Sequence, residues 1–191
     1  MISINDLTFK RDDKIIFENL NLTLPDRGIV CICGPSGCGK STLLRLLCGL
    51  ESPDAGSIDI IKSASVVFQE NALLPWATVL ENVSLPLDEQ NICRARDALE
   101  AVELSDALSL YPAQLSGGMA RRVAIARALA FDGDVLLLDE PFNGLEPALW
   151  ERICENIRRQ YADRLIVLIT HHLAEAEAFG AQIIQWDDLI H

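Results

Sequence analysis

IVCICGPSGCGKSTLLRLLCGL, residues 29–50, decides the architecture. Residues 29–33 are apolar and β-like, residues 34–39 hold three glycines, and KSTLLRLLCGL reads as a strongly apolar helix. Strand, glycine-rich loop and helix in that order make a cradle for phosphate. Loop N–H groups converge on the anion, and the helix N-terminus adds partial positive charge. Gly34 to Ser41 satisfies the spacing G-x-x-x-x-G-K-[ST], with Pro35, Ser36, Gly37, Cys38 and Gly39 inside it and Thr42 just after it. Lys40 is placed to bridge a β- and a γ-phosphate as a point charge, and Ser41 to offer a hydroxyl to Mg²⁺.

Downstream of that loop the pattern is α/β. DVLLLDE (134–140) and LIVLI (165–169) are continuous apolar runs, the kind buried on both faces of a parallel sheet. Between them Trp150, Ile153, Cys154, Ile157 and Tyr161 recur at helical spacing, with Pro147 near the first turn. HLAEAEAF (172–179) reads as helix and QIIQW (182–186) as a last strand. Two regions stand outside the alternation. Residues 1–28 alternate around a charged turn at Lys10–Lys14 and predict a small antiparallel layer. Residues 75–131 predict a helical insert, with a capping box at Thr78 and Glu81 and an apolar stripe of Ile92, Ala95, Leu99 and Val102. The expectation is one domain over 1–191.

Asp139 closes the VLLLDE strand, at the strand end where open α/β sheets bind ligands. Its carboxylate suits Mg²⁺ through water, and Glu140 beside it suits proton transfer to or orientation of an attacking water. Net charge is −12, with twelve acidic against four basic residues from Asp132 onward, which argues against nucleic acid as a partner. The apolar runs are too short to cross a bilayer and no signal-peptide pattern opens the chain, so a cytosolic location is expected. The six cysteines form no CxxC pair and read as buried, reduced thiols. His171 and His172 are adjacent, so a metal site shared on one helix face is not expected.

A second cradle follows the first. In LSGGMARRVAIARAL (115–129), Ser116, Gly117 and Gly118 open a helix with bare N–H groups beside a hydroxyl. Residues 34–42, LSGG at 115–118, the VLLLDE strand with its glutamate, and Thr170-His171 after the next strand occur in an order that resembles the ATPase subunits of ABC transporters. The resemblance runs from about residue 2 to about residue 186.

That resemblance implies a P-loop NTPase core that binds ATP and Mg²⁺ and works as a head-to-tail dimer. ATP would lie between the Lys40 loop of one subunit and Ser116–Gly118 of the other. It further implies that Gln69 reaches Mg²⁺ and water, that His171 contacts the γ-phosphate, and that Phe9 stacks on adenine; for Phe9, core packing is the alternative reading. The implied partners are a second ATPase subunit and integral membrane permeases, with a solute-binding protein engaged only indirectly and the subunit peripheral on the cytoplasmic membrane face. VFQENALLPWATVLENVSLPL (67–87) is most similar to importers of the nitrate, sulfonate and taurine type, with Leu73, Leu74, Pro75 and Trp76 as an apolar surface for a membrane subunit. Glu146, Met119, Arg121 and His172 depart from the usual pattern, and the chain is short. A weakly hydrolytic regulatory subunit or a non-transport ABC protein is the alternative function. Arg122 and Arg127 read as structural anchors.

Overall fold

Parallel strands need crossovers, and this chain supplies one after each buried run. The computed structural model describes residues 1–12, 14–88 and 91–189. They fall into two units: residues 1–64, 134–140 and 161–189, and residues 65–133 and 141–160.

In the first unit, β1 (Ile2–Arg11), β2 (Lys14–Leu24) and β4 (Ala55–Ile58) form an antiparallel sheet of order β2-β1-β4. Alternation sends Ile4, Leu7 and Phe9 of β1, with Phe17, Leu20, Leu22 and Leu24 of β2, into the core. The β1–β2 register slips between Ile4 and Leu7 and again between Leu7 and Phe9. Asp6 and Asn19 sit at these slips with φ of 47° and 51°, a conformation that Asp and Asn tolerate better than most residues.

Within this unit the larger sheet runs β6-β7-β3-β8, with β3 (Gly28–Cys33), β6 (Val135–Asp139), β7 (Leu165–Thr170) and β8 (Gln182–Gln185). β5 (Ala64–Val67) falls mainly in the second unit. β3, β6, β7 and β8 pair in parallel. Every residue of β6 and β7 is buried, as their unbroken apolar runs require. α1 (Lys40–Leu47) buries Leu43, Leu44, Leu46 and Leu47, and α6 (Leu173–Phe179) buries Ala176 and Phe179. Cys31 and Cys33 share a buried face with their sulfurs 3.4 Å apart, and burial pushes the Cys31 thiol well above its ordinary value. Pairing sets Cys33 beside Thr170 and Asp139 beside Ile169. The connections that leave β3, β6 and β7 therefore emerge side by side at one sheet edge.

The second unit is mainly helical: α2 (Val79–Ser84), α3 (Ile92–Ala101), α4 (Gly117–Phe131) and α5 (Pro147–Gln160). It is wider than the expected insert, because 65–74, 132–133 and 141–160 join it. The Thr78 hydroxyl accepts the Glu81 N–H, and the Glu81 carboxylate accepts the Thr78 N–H at 2.7 Å, completing the capping box. Asn82, fully buried, accepts the Leu74 N–H and donates to the Leu74, Ala77 and Thr78 carbonyls, which pins the loop before α2. Along α5, Ile153, Cys154 and Ile157 are buried as expected, while Trp150 stacks on Phe142 with ring centres 5.4 Å apart. Ile92 is 46% exposed, against expectation: it opens α3, and Ala98 joins Ala95 and Leu99 in the buried stripe instead. Among the described residues, no helix is long and apolar enough to cross a membrane.

Candidate functional site

The loop after β3 is held by its own lysine. Lys40 is 6% exposed, and its ammonium donates to the carbonyls of Gly34 at 2.8 Å and Pro35 at 2.7 Å, with the Cys38 sulfur 3.6 Å away. Two of its three N–H donors thus hold loop carbonyls, and the third, on the weak sulfur acceptor, is the one an anion can take over. Gly39 precedes α1, and no side chain caps that helix. The bare N–H groups of the first turn, with the helix dipole behind them, favour a phosphate.

Two glycines are required by shape. A Cβ on Gly34 would fall 2.4 Å from Trp186 Cβ, and one on Gly39 would fall 2.6 Å from Ile16 Cγ2. Gly39 also has φ of 122°, which side chains rarely adopt. Trp186, 2% exposed and tilted on Phe17 at 5.6 Å, is a wall of the loop that sequence reasoning placed only at the end of a strand.

Next along the same sheet edge come Asp139 and Glu140 from β6 and His171 from β7. Asp139 is 2% exposed. Glu140 has φ of 49°, uncommon outside glycine, and its N–H donates to the Ile169 carbonyl at 2.8 Å. This turn carries its carboxylate to 2.7 Å from His171 Nδ1. An ionised carboxylate only accepts, so Nδ1–H donates to it and Nε2 faces away. His172 is not on a helix: α6 starts at Leu173, and His172 has extended backbone, its N–H donating to the Thr170 hydroxyl at 3.0 Å. The two imidazoles, expected to diverge on a helix, instead lie 3.9 Å apart. Behind them Glu175 is 4% exposed; burial raises its carboxyl above the usual range, against a lowering hydrogen bond from Thr170.

Phe9 pairs with Phe17 in the β1–β2 register and is 9% exposed, among the core residues of the antiparallel sheet.

The second unit carries the remaining expected residues. Ser116 caps α4, its Oγ accepting the Met119 N–H at 3.2 Å, and its hydroxyl proton is left to donate. Gly117 has open space where a side chain would project, whereas a Cβ on Gly118 would meet Leu145 Cδ2 at 3.2 Å. Gln69 is exposed, on a segment gripped from α4. Arg121 donates to the carbonyls of Phe68 and Gln69 and to Pro141, and Arg127 to those of Asn71 and Ala72. Arg122 holds the carbonyls of Val102 and Glu103. Arg121, a departure from the usual pattern, is thus a structural clamp on the glutamine segment that sequence reasoning missed.

Comparison with known proteins follows the same line. Residues 17–143 match the family described as ABC transporter. The chain is 41% identical to the aliphatic sulfonates import ATP-binding protein SsuB 3 of Paraburkholderia xenovorans, over 96% of this chain and 75% of that protein. It is 40% identical to the bicarbonate transport ATP-binding protein CmpD of Synechocystis sp., over 84% of this chain, and spans 64% of the length of CmpD. Among solved structures, the dimeric bacterial ABC transporter cassette MJ0796 superposes with a TM-score of 0.89 at 32% identity, covering 97% of this chain and 94% of that one. A second MJ0796 structure, a dimer in a post-hydrolysis state bound to ADP and Pi, has a TM-score of 0.89 at 31% identity, over 97% of this chain and 94% of that one.

Proposed function

The chain belongs to the ABC transporter family as an ATP-binding cassette, and we propose that it is the ATP-hydrolysing motor subunit of a membrane importer, peripheral on the cytoplasmic face of the cell membrane. The observation that carries this reading is the Glu140–His171 pair, 2.7 Å apart at the sheet edge from which the Lys40 loop also leaves.

Lys40 binds and neutralises the β- and γ-phosphates, and the N–H groups of residues 34–42 wrap them. Glu140 orients the attacking water and accepts its proton. His171, its Nδ1–H already committed to Glu140, turns Nε2 toward the γ-phosphate and holds the glutamate in one rotamer. Ser41 and Asp139 are hard oxygen donors that fit Mg²⁺; bound there, the ion would neutralise phosphate charge. Ser116–Gly118 of a second copy cap the γ-phosphate, so residues 1–191 act as one cassette and two copies form two sites.

Trp76 is 73% exposed and Pro75 is exposed beside it, on the loop pinned by Asn82. This apolar patch is the docking point for a permease subunit, close in sequence to Gln69. Cargo is chosen by the membrane subunits, with any solute-binding protein engaged only through them.

The test is light scattering of Glu140→Gln with Mg·ATP, together with steady-state turnover. The variant should bind ATP, turn it over at least ~100-fold more slowly than wild type and form a dimer, since loss of a general base costs about 10²–10⁴. Adding Ser116→Arg should return it to monomer. Wild-type turnover in Glu140→Gln would remove Glu140 from the chemistry, and a dimer that survives Ser116→Arg would remove Ser116 from the interface.

A further inference from the structure

At the ends of β6 and β7, His172 joins Glu140 and His171 in a donor set that the proposed hydrolysis does not use as a whole. Glu140, His171 and His172 each offer one ligand atom, and these atoms lie within 4.8 Å of one another. One carboxylate oxygen and two imidazole nitrogens are ligands suited to Zn²⁺ more than to Mg²⁺, which favours oxygen throughout. A tetrahedral ion with bonds near 2.0–2.1 Å holds its ligand atoms about 3.3–3.4 Å apart. The 2.7 Å Glu140–His171 separation and the 4.8 Å limit bracket that edge, so small side-chain rotations complete the site.

Backbone hydrogen bonds hold two of the three donor residues in place. Glu140 is tied to the Ile169 carbonyl, and His172 to the Thr170 hydroxyl. The His171 side chain is 45% exposed and His172 is exposed, so an ion can enter from solvent and keep a water as fourth ligand. Behind the imidazoles Glu175, 4% exposed, has one carboxyl oxygen without a hydrogen-bond partner.

We propose that Glu140, His171 and His172 form a Zn²⁺ site that holds the cassette inactive. On binding, the proton on His171 Nδ1 moves through solvent to Nε2, so the ring stays neutral, and Nδ1 and the Glu140 carboxylate bond the ion instead of each other; no electron changes hands. The ion occupies the lone pair that takes the proton from water in the proposed hydrolysis, so zinc and turnover exclude each other. The inhibitory half rests on the role proposed for Glu140, whereas the site itself does not.

The test uses the full chain, freed of metal by chelation and without nucleotide. Zn²⁺ is titrated by calorimetry, and Co²⁺ by the visible absorption of a tetrahedral ion. Wild type should bind one equivalent. His172→Ala should lose at least ~10-fold in affinity, since even outer partners of metal ligands are worth about 10–100-fold. Equal affinity in wild type and His172→Ala, as binding at exposed Cys93 would give, overturns the site. Turnover with Mg·ATP in zinc-buffered medium then tests the second half: half-inhibition should need at least ~10-fold more zinc in His172→Ala, by the same affinity loss. Zinc bound through His172 with turnover unchanged overturns the inhibition and, with it, the role of Glu140. A chain that does not hydrolyse ATP at all would sink the proposed function, while the titration would still decide the site.

Discussion

Replacing Arg121 with methionine keeps most of the buried stem and removes every donor. Arg121 is 4% exposed; Nε donates to the Pro141 carbonyl at 2.9 Å, Nη1 to that of Phe68, and two longer contacts of 3.3 Å reach the Gln69 carbonyl and Asn71 Oδ1. A hydrogen bond to a charged group contributes about 1.5–3 kcal/mol net, so the two strong ones amount to about 3–6 kcal/mol. Removing a buried charge returns part of that, leaving a loss of about 2–5 kcal/mol. For a chain of this size each kcal/mol lowers Tm by about 2–4 °C, so the melting temperature should fall by roughly 5–20 °C. The local effect is sharper, because Arg121 holds the segment that carries Gln69. Hydrogen exchange of amides 68–72 should rise well before the rest of α4 loosens, and Arg121→Lys, with one head group in place of a fork, should fall between. A melting temperature within ~2 °C of wild type, with exchange at 68–72 unchanged, would refute the clamp.

Other perturbations follow from single contacts. Gly34→Ala drives a methyl to 2.4 Å from Trp186 Cβ, so the loop or the tryptophan must move. Binding of a fluorescent ATP analogue should weaken at least ~10-fold, a loss of about 1.4 kcal/mol, and unchanged binding would mean the loop tolerates the wall's displacement. Glu175→Gln tests the buried carboxyl. Burial raises its folded pKa above the unfolded value, so its stabilising contribution is complete below the unfolded pKa and is lost as pH rises through the folded one. The Gln variant should therefore melt above wild type at pH 8, with the gap closing toward pH 4; a gap that widens on acidification would reverse the assignment.

What could be read from the sequence is what lies close together along the chain. The phosphate loop is contiguous, and β6 and β7 declare themselves as apolar runs that end in Asp139-Glu140 and Thr170-His171. β4 and β5 escaped notice because AGSI and ASVV are four residues each and only partly buried. The walls of the loop were hidden by distance: Trp186 is brought against Gly34 by β8 pairing with β3, which no local pattern announces.

Arg121 shows the harder case. Along the chain it is only an unusual residue after the second glycine motif, while its acceptors lie some fifty residues before it, at Phe68 and Gln69, and twenty after it, at Pro141. The paired histidines fail differently. Helical spacing suggests itself from residue 172 onward, but α6 starts at Leu173, and His172, its N–H held by Thr170, places its ring 3.9 Å from that of His171 in a cluster with Glu140 that no spacing along the chain announces.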